Sequence, residues 1–273
     1  MSTGKRFSTV KRVIVVLLPV MVCYTGVGGC TYIRNFNLTT LRTKAAEAYT
    51  SGLAAIMRES VSSVDEIWIL REILKLTQDE ALQQFVNDKA ASLGGDSFLR
   101  LIDPNVSRVD LSADPCSGFT RFYSYVLAPL GRPEKRAISF INDFLATEES
   151  GYILTHQFLV LEWAEQTGLE LPKQLEAKKP KILERILQEQ LTVDSFSDLY
   201  AERAAILLRF GDQKPSNAAQ WVEIIVNAQL EDGSWGLYSE NLTFDGESTT
   251  GEPGASHTIV LALLSLRAYL DKY

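Results

Sequence analysis

Two histidines, His156 and His257, and one cysteine, Cys116, carry much of the chemistry this chain could perform. Their surroundings are alike. Thr155-His156-Gln157-Phe158 through Leu161 can be laid on Ser256-His257-Thr258-Ile259 through Leu263, so each histidine opens an apolar segment with helical spacing. Segments of the same kind begin near Asp65, Cys116 and Asp198. A Cys116/His156/His257 set could hold a zinc ion with water in the open fourth position. Without metal, His156 or His257 could act as a general base, oriented by Asp198 or Glu202. The alternative is that each histidine is a helix-start residue bonded to a neighbouring carbonyl. Tyr123, Tyr125, Tyr152, Trp163 and Tyr200 lie on or beside these segments; most read as core or interhelix packing, and some, with Tyr123, Tyr152 and Tyr200 as the leading candidates, would line a ligand cavity as a platform for a sugar or an apolar chain.

The elements that must position these residues read almost entirely as helices beyond residue 34. Ile67, Leu70, Ile73 and Leu74, then Ile182, Leu183, Ile186 and Leu187, then Ile206, Leu207 and Phe210 keep three- and four-residue spacing. Breaks fall at Gly94-Gly95, Asp114-Pro115, Gly131-Arg132-Pro133, Gly211 to Pro215 and Asp232-Gly233. No segment alternates convincingly as a strand. The pattern predicts an all-α fold of about ten helices in pairs. Gln190-Leu191 through Phe196 aligns with Gln229-Leu230 through Trp235, and Leu199-Tyr200 with Leu237-Tyr238, at an offset of about 39 residues. One hairpin cannot bury its apolar face alone, so such repeats stack or close into an array.

Gln229-Leu230-Glu231-Asp232-Gly233-Ser234-Trp235-Gly236, followed after a loop by the helix from Ala255 to Leu263, resembles the second half of the QW repeat of squalene and hopene cyclases. The aromatic residue usual five positions before the glutamine is Ile224 here. The resemblance implies the terpenoid cyclase and protein prenyltransferase superfamily. Its fold is an α/α toroid, here of about five helical hairpins, incomplete beside a six-hairpin ring. In that fold the inner helices would begin near Asp65, Cys116, His156, Asp198 and His257, around a central cavity. The prenyltransferases of the superfamily bind zinc through Asp, Cys and His, but their ligand motifs do not map onto Cys116, His156 and His257 position by position. No DxDD acid and no DDxxD carboxylates occur, which argues against cyclisation or diphosphate ionisation.

The amino terminus reads as an address. Lys5, Arg6, Lys11 and Arg12 precede the apolar run Val13–Val27, and Gly28-Gly29-Cys30 follows. The run is shorter than the roughly 20 residues a spanning helix needs, and Pro19 interrupts it. Val27-Gly28-Gly29-Cys30 resembles the lipobox of bacterial lipoproteins. That implies a signal peptide over 1–29, a toroid domain over 30–273, and palmitate-type acylation at Cys30 that holds the body at a membrane. Thr31 after the cysteine would permit the outer membrane in an enteric bacterium. The alternative is an ordinary secretory signal, with sequons at Asn37, Asn105 and Asn241. Net charge is -7 overall, and the four leader bases leave the remainder more acidic still, which argues against nucleic acid. With 3 Cys in the whole chain, a disulfide framework is excluded. Three functions follow as expectations: a lipid-anchored envelope protein that binds a glycan or lipid-like ligand in a central cavity, an envelope enzyme using the histidines, or a scaffold lipoprotein. The stretch 237–254 reads as a long loop at the rim ahead of His257.

Overall fold

Helix starts are set locally by capping residues. Asn37 accepts the Thr40 amide at 3.2 Å and opens α1 (Leu38–Ile56). Ser63 and Glu66 form a capping box at the start of α2 (Val64–Leu74). Asp79 caps α3 (Glu80–Ser92), and the short α4 (Leu99–Ile102) follows. Next come α5 (Gly118–Val126), α6 (Ala128–Gly131) and α7 (Glu134–Phe144). The first residue of α8 (Gly151–Gln166) has a φ of 61°, which glycine adopts without strain, and its amide donates to the Glu189 carboxylate at 3.1 Å. Beyond α9 (Lys173–Glu176) and α10 (Lys179–Gln190), Ser197 caps α11 (Asp198–Phe210). Pro215 heads α12 (Pro215–Asn227), where its missing N–H costs nothing, and α13 (Ala255–Lys272) closes the chain.

This computed structural model describes residues 37–59, 61, 63–93, 99–103, 105–106, 118–131, 134–236, 240–244, 247–251 and 255–273, all within one unit, Phe36–Tyr273. The leader, Cys30 and Cys116 lie outside the described residues. The fold is all-α, and no helix among the described residues is long and apolar enough to cross a membrane. Within the stretch read from sequence as a loop, β1 (Glu240–Phe244) pairs antiparallel with β2 (Glu247–Gly251), with Phe244 opposite Glu247. The sequence signal is Asp245-Gly246 between Leu-Thr-Phe and Glu-Ser-Thr-Thr, a two-residue hairpin connection. Phe244 is buried among the rings of Phe122, Tyr125 and Phe144.

Four helices run in one direction. Their first turns meet: His257 of α13 reaches Asp198 of α11 and Asp65 of α2, and Tyr152 of α8 donates to Asp198. Their last turns also meet: Gln166 of α8 bonds both Trp68 and Glu72 of α2, and Arg209 of α11 pairs with Glu72 at 3.1 Å. Parallel neighbours require returning elements between them. Helix α10 returns the chain from α8 to α11, and α12 from α11 toward α13. Helix α1 lies against α12 and α13, with its Arg42 donating to the Leu270 carbonyl at 2.6 Å, near the far end of α13.

One contact set ties α12, α1 and α13 together. The Gln229 amide donates to the Ala48 carbonyl of α1 at 2.8 Å and to the Gly233 carbonyl at 3.0 Å. Trp235 is fully buried and donates to the Ile225 carbonyl at 2.7 Å. Its ring occupies the space a side chain at Gly52 would need, beside Leu263. Gly233, with a φ of 88°, presses against the Ser51 carbonyl, where any Cβ would lie at 2.6 Å.

Truncation at this junction should therefore cost more than an ordinary core deletion. Trp235→Ala removes a buried ring and the indole hydrogen bond to the Ile225 carbonyl, so chemical denaturation should show a loss of about 3–5 kcal/mol. Gly233→Ala should also lower the unfolding midpoint, because it combines a left-handed backbone with a backbone clash. A midpoint unchanged in both variants would contradict this packing.

Candidate functional site

The four co-directional helices each turn one stripe toward a shared space. Asp65, Trp68 and Ile69 come from α2; His156, Leu159 and Trp163 from α8; Glu202, Ala205, Ile206 and Phe210 from α11; His257, Leu261 and Leu264 from α13. Spacings of three and four residues keep each stripe on one helix face. The enclosed cavity measures about 40 Å³, room for about three water molecules. In every stripe the ionisable residue comes first and the rest are apolar. Because the helices begin at the same end, the ionisable groups form a rim and the apolar groups a well. The rim is also the open end: Asp65, His156 and His257 side chains are 39%, 24% and 21% exposed, whereas Trp68 and Trp163 in the well are buried. The two indoles meet edge to face, 5.7 Å apart at 87°. At the far end, Glu72, Gln166 and Arg209 close the space between α2, α8 and α11.

Asp198 anchors the rim. Fully buried at the start of α11, it accepts from His257 Nδ1 at 3.0 Å, from the Thr258 hydroxyl at 2.6 Å and from the Tyr152 hydroxyl at 2.7 Å. Burial pushes the Asp198 carboxyl up, but the hydrogen bond and charge of His257, with the two hydroxyls, outweigh it and hold the group below the usual carboxylate range. For His257, burial opposes the charge while the Asp198 bond and charge, then Asp65 and Glu202, favour it. The net effect raises it from an ordinary 6.5 to about 10. A carboxylate only accepts, so Nδ1 carries a proton, and Nε2 is left toward the cavity, 3.8 Å from Asp65. At neutral pH His257 is an imidazolium and therefore a proton donor at Nε2.

His156 is arranged differently. Its Nδ1 bonds the Tyr152 carbonyl at 2.8 Å, which fixes the proton on Nδ1 in the neutral ring, because a carbonyl cannot donate. Glu202, one turn below Asp198, lies 3.6 Å from that nitrogen and is only 3% exposed. Neither of its oxygens accepts a hydrogen bond. The adjacent Thr155 hydroxyl donates instead to the Tyr152 carbonyl at 2.8 Å. Burial raises the Glu202 carboxyl, against the pull of His156 and His257.

The structure thus brings together His156, His257 and Asp198, with Glu202 among them. Cys116 lies outside the described residues, and among those residues no group of three His, Cys, Asp or Glu side chains is placed to hold a metal ion. The tyrosines expected to line a cavity are elsewhere. Tyr152 orients Asp198, Tyr200 is buried against Phe196, and Tyr123 is 55% exposed on α5. The aromatic lining comes from Trp68, Trp163 and Phe210. Trp68 had a readable signal: Asp65, Trp68 and Ile69 share one face of α2.

Stability should follow pH through the Asp198–His257 pair. The raised His257 contributes fully below about pH 6.5 and loses that contribution as pH rises toward 10; the lowered Asp198 contributes above about pH 4 and loses it in more acidic solution. Raised Glu202 likewise loses its contribution as pH rises, beginning above the ordinary carboxyl value of 4.5. In NMR titration the His257 ring should stay protonated through pH 8, and Asp198→Asn should return its midpoint toward the ordinary range. Asp198→Ala leaves three donors unpaired and should cost about 3–5 kcal/mol. Comparison with protein families, with curated proteins and with solved structures returns no match for this chain.

Proposed function

We propose that this chain is a lipid-anchored envelope protein whose helices form an α/α toroid, and that the toroid binds a lipid-like ligand in its central well. The observation that carries the reading is the division of the cavity into an ionisable rim and an apolar well about two helical turns, or roughly 11 Å, deep. A glycan fits poorly, because the apolar walls leave its hydroxyls without partners and desolvation would be uncompensated. A slender acyl or isoprenyl chain suits the apolar walls. The toroid reading is supported by the co-directional α2, α8, α11 and α13, by returning α10 and α12, and by side-chain contact between α8 and α2. Anchoring is supported by the Val27-Gly28-Gly29-Cys30 sequence and by the basic, apolar segment before it.

A second reading, an acid/base enzyme, rests on the Asp198–His257 pair. Asp198 fixes the imidazole and stabilises its charge, while Nε2 faces the space where a ligand's polar end would lie. In this role His257 donates a proton to a leaving or carbonyl oxygen at the rim.

Two of the 4 tryptophans line the well, so occupancy is readable by fluorescence. Titration of the soluble body with hexan-1-ol should change tryptophan emission saturably. Ala205→Phe, which fills the well without touching an ionisable group, should abolish the change at unaltered fold. Absence of saturable binding by any hexyl compound would refute the cavity reading. For the enzymatic reading, hydrolysis of 4-nitrophenyl hexanoate should fall at least about tenfold in His257→Gln while hexan-1-ol binding persists; equal rates would remove it.

A further inference from the structure

Glu202 holds a carboxyl group in the well with no hydrogen bond to either oxygen. Buried polar atoms in folded proteins are almost always paired, and an unpaired carboxyl is the costliest kind to leave so. Local donors exist but are committed elsewhere. The Thr155 hydroxyl and the His156 Nδ1–H both go to the Tyr152 carbonyl, and His257 Nδ1 goes to Asp198. Glu202 is therefore part of the cavity lining with neither oxygen hydrogen-bonded.

The charge inventory selects the kind of molecule. No lysine or arginine lines the cavity, whereas Asp65 and Glu202 do, and Asp198 lies directly behind His257. Three of the helix amino termini, which would otherwise favour an anion, are answered by a carboxylate already: Glu66 on α2, Glu189 on Gly151 of α8, and Asp198 on α11. An anionic head would meet Asp65 and Glu202 in the lining, with the charge of His257 already matched by Asp198 behind it. A cation beside Glu202 would share the lining with the indole rings of Trp68 and Trp163, side chains whose π-systems attract ammonium groups.

We propose that the well recognises an ammonium group on a short apolar body, with Glu202 as its counter-ion and Trp68 and Trp163 as its aromatic walls. This deepens the proposed lipid-like ligand by naming its polar group, and it rests on the cavity being a binding site. Ammonium N–H groups supply the donors that Glu202 lacks. An ammonium favours the ionised form of Glu202, against the burial that pushes its carboxyl up; any proton the carboxyl holds leaves to solvent when the ligand enters as the ammonium, or moves to the nitrogen when the free amine enters. The other groups facing Glu202 are His156 from α8, His257 from α13, Asp65 from α2 and Asp198 one turn away on α11. Asp198 and His257 hold each other charged near neutrality, so they do not titrate with ligand.

The test compares hexylammonium, hexan-1-ol and hexanoate by tryptophan fluorescence and calorimetry on the soluble body. Hexylammonium should bind most tightly, and its affinity should rise as pH increases above the ordinary carboxyl range, the direction set by the raised Glu202 carboxyl, while that of hexan-1-ol stays flat. Glu202→Gln, nearly isosteric, should weaken hexylammonium about tenfold or more, remove its pH slope and change hexan-1-ol by less than about threefold. Equal affinity for the alcohol and the ammonium, preference for hexanoate, or an unchanged slope in Glu202→Gln overturns the proposal and leaves the lipid-like reading standing. Failure of all three compounds overturns both. Should Glu202→Gln not fold, proton release by the wild-type chain on binding hexylammonium, measured in two buffers of different ionisation enthalpy, decides the matter, and no release overturns the proposal.

Discussion

A carboxylate removed from water must be compensated by donors held in place, and Asp198 imposes that requirement on three helices at once. Its partners are a hydroxyl from α8 and a hydroxyl and an imidazole from α13, while its own position at the first residue of α11 places it on the positive end of that helix. Removing any donor leaves a buried charge short, so the rotation of α8 and α13 about their axes is fixed relative to α11. With those rotations fixed, His156, Glu202 and His257 fall on the inward faces, and the apolar residues three and four positions on form the well beneath them. The cavity is thus a consequence of how one acid is satisfied.

The same logic operates at the opposite end with a different outcome. Glu72 is as buried as Asp198, yet its partners are Lys75, Arg209 and Gln166, cations and an amide on the last turns of α2, α11 and α8. Cations near helix carboxyl termini complement the dipole, so this cluster is electrostatically complete and closes the bundle. The rim, built on carboxylates and imidazoles at the amino termini, retains an uncommitted Nε2 on His257 and an unpaired Glu202. Chemical capacity is therefore confined to one end.

Much of this was legible in the residues. Helical spacing and capping residues identify α2, α8, α11 and α13, and the likeness of the two histidine segments places His156 and His257 at comparable stations. Asp198 follows from its place after Ser197 at a helix start. What the spacing cannot convey is partnership between segments. That Thr258 and Tyr152 both serve Asp198 depends on the packing of α13 and α8 against α11, over separations of 60 and 46 residues. Of the candidate aromatics Trp163 lines the cavity and the tyrosines do not, for the same reason: Tyr200 lies on α11 beside the rim but on the face turned away, while Trp68, not among the candidates, shares a face with Asp65. The hairpin carried a local signal in Asp245-Gly246, overshadowed by the helical pattern on either side.

The solitude of Glu202 has a local cause in α8. The Tyr152 carbonyl lies four residues before His156 and three before Thr155, the positions from which side chains bond back along a helix. Both donors take that intrahelical bond, at 2.8 Å each, in preference to the carboxyl across the interface. Burial then favours the neutral acid, which lowers the cost of the arrangement without supplying a partner. An alanine in place of Glu202 would pack as the neighbouring Ala201, Ala204 and Ala205 do, and the helix would be no less regular. What the acid adds beside the two histidines is a carboxyl group whose oxygens accept no hydrogen bond, in the lining of an apolar, tryptophan-walled space.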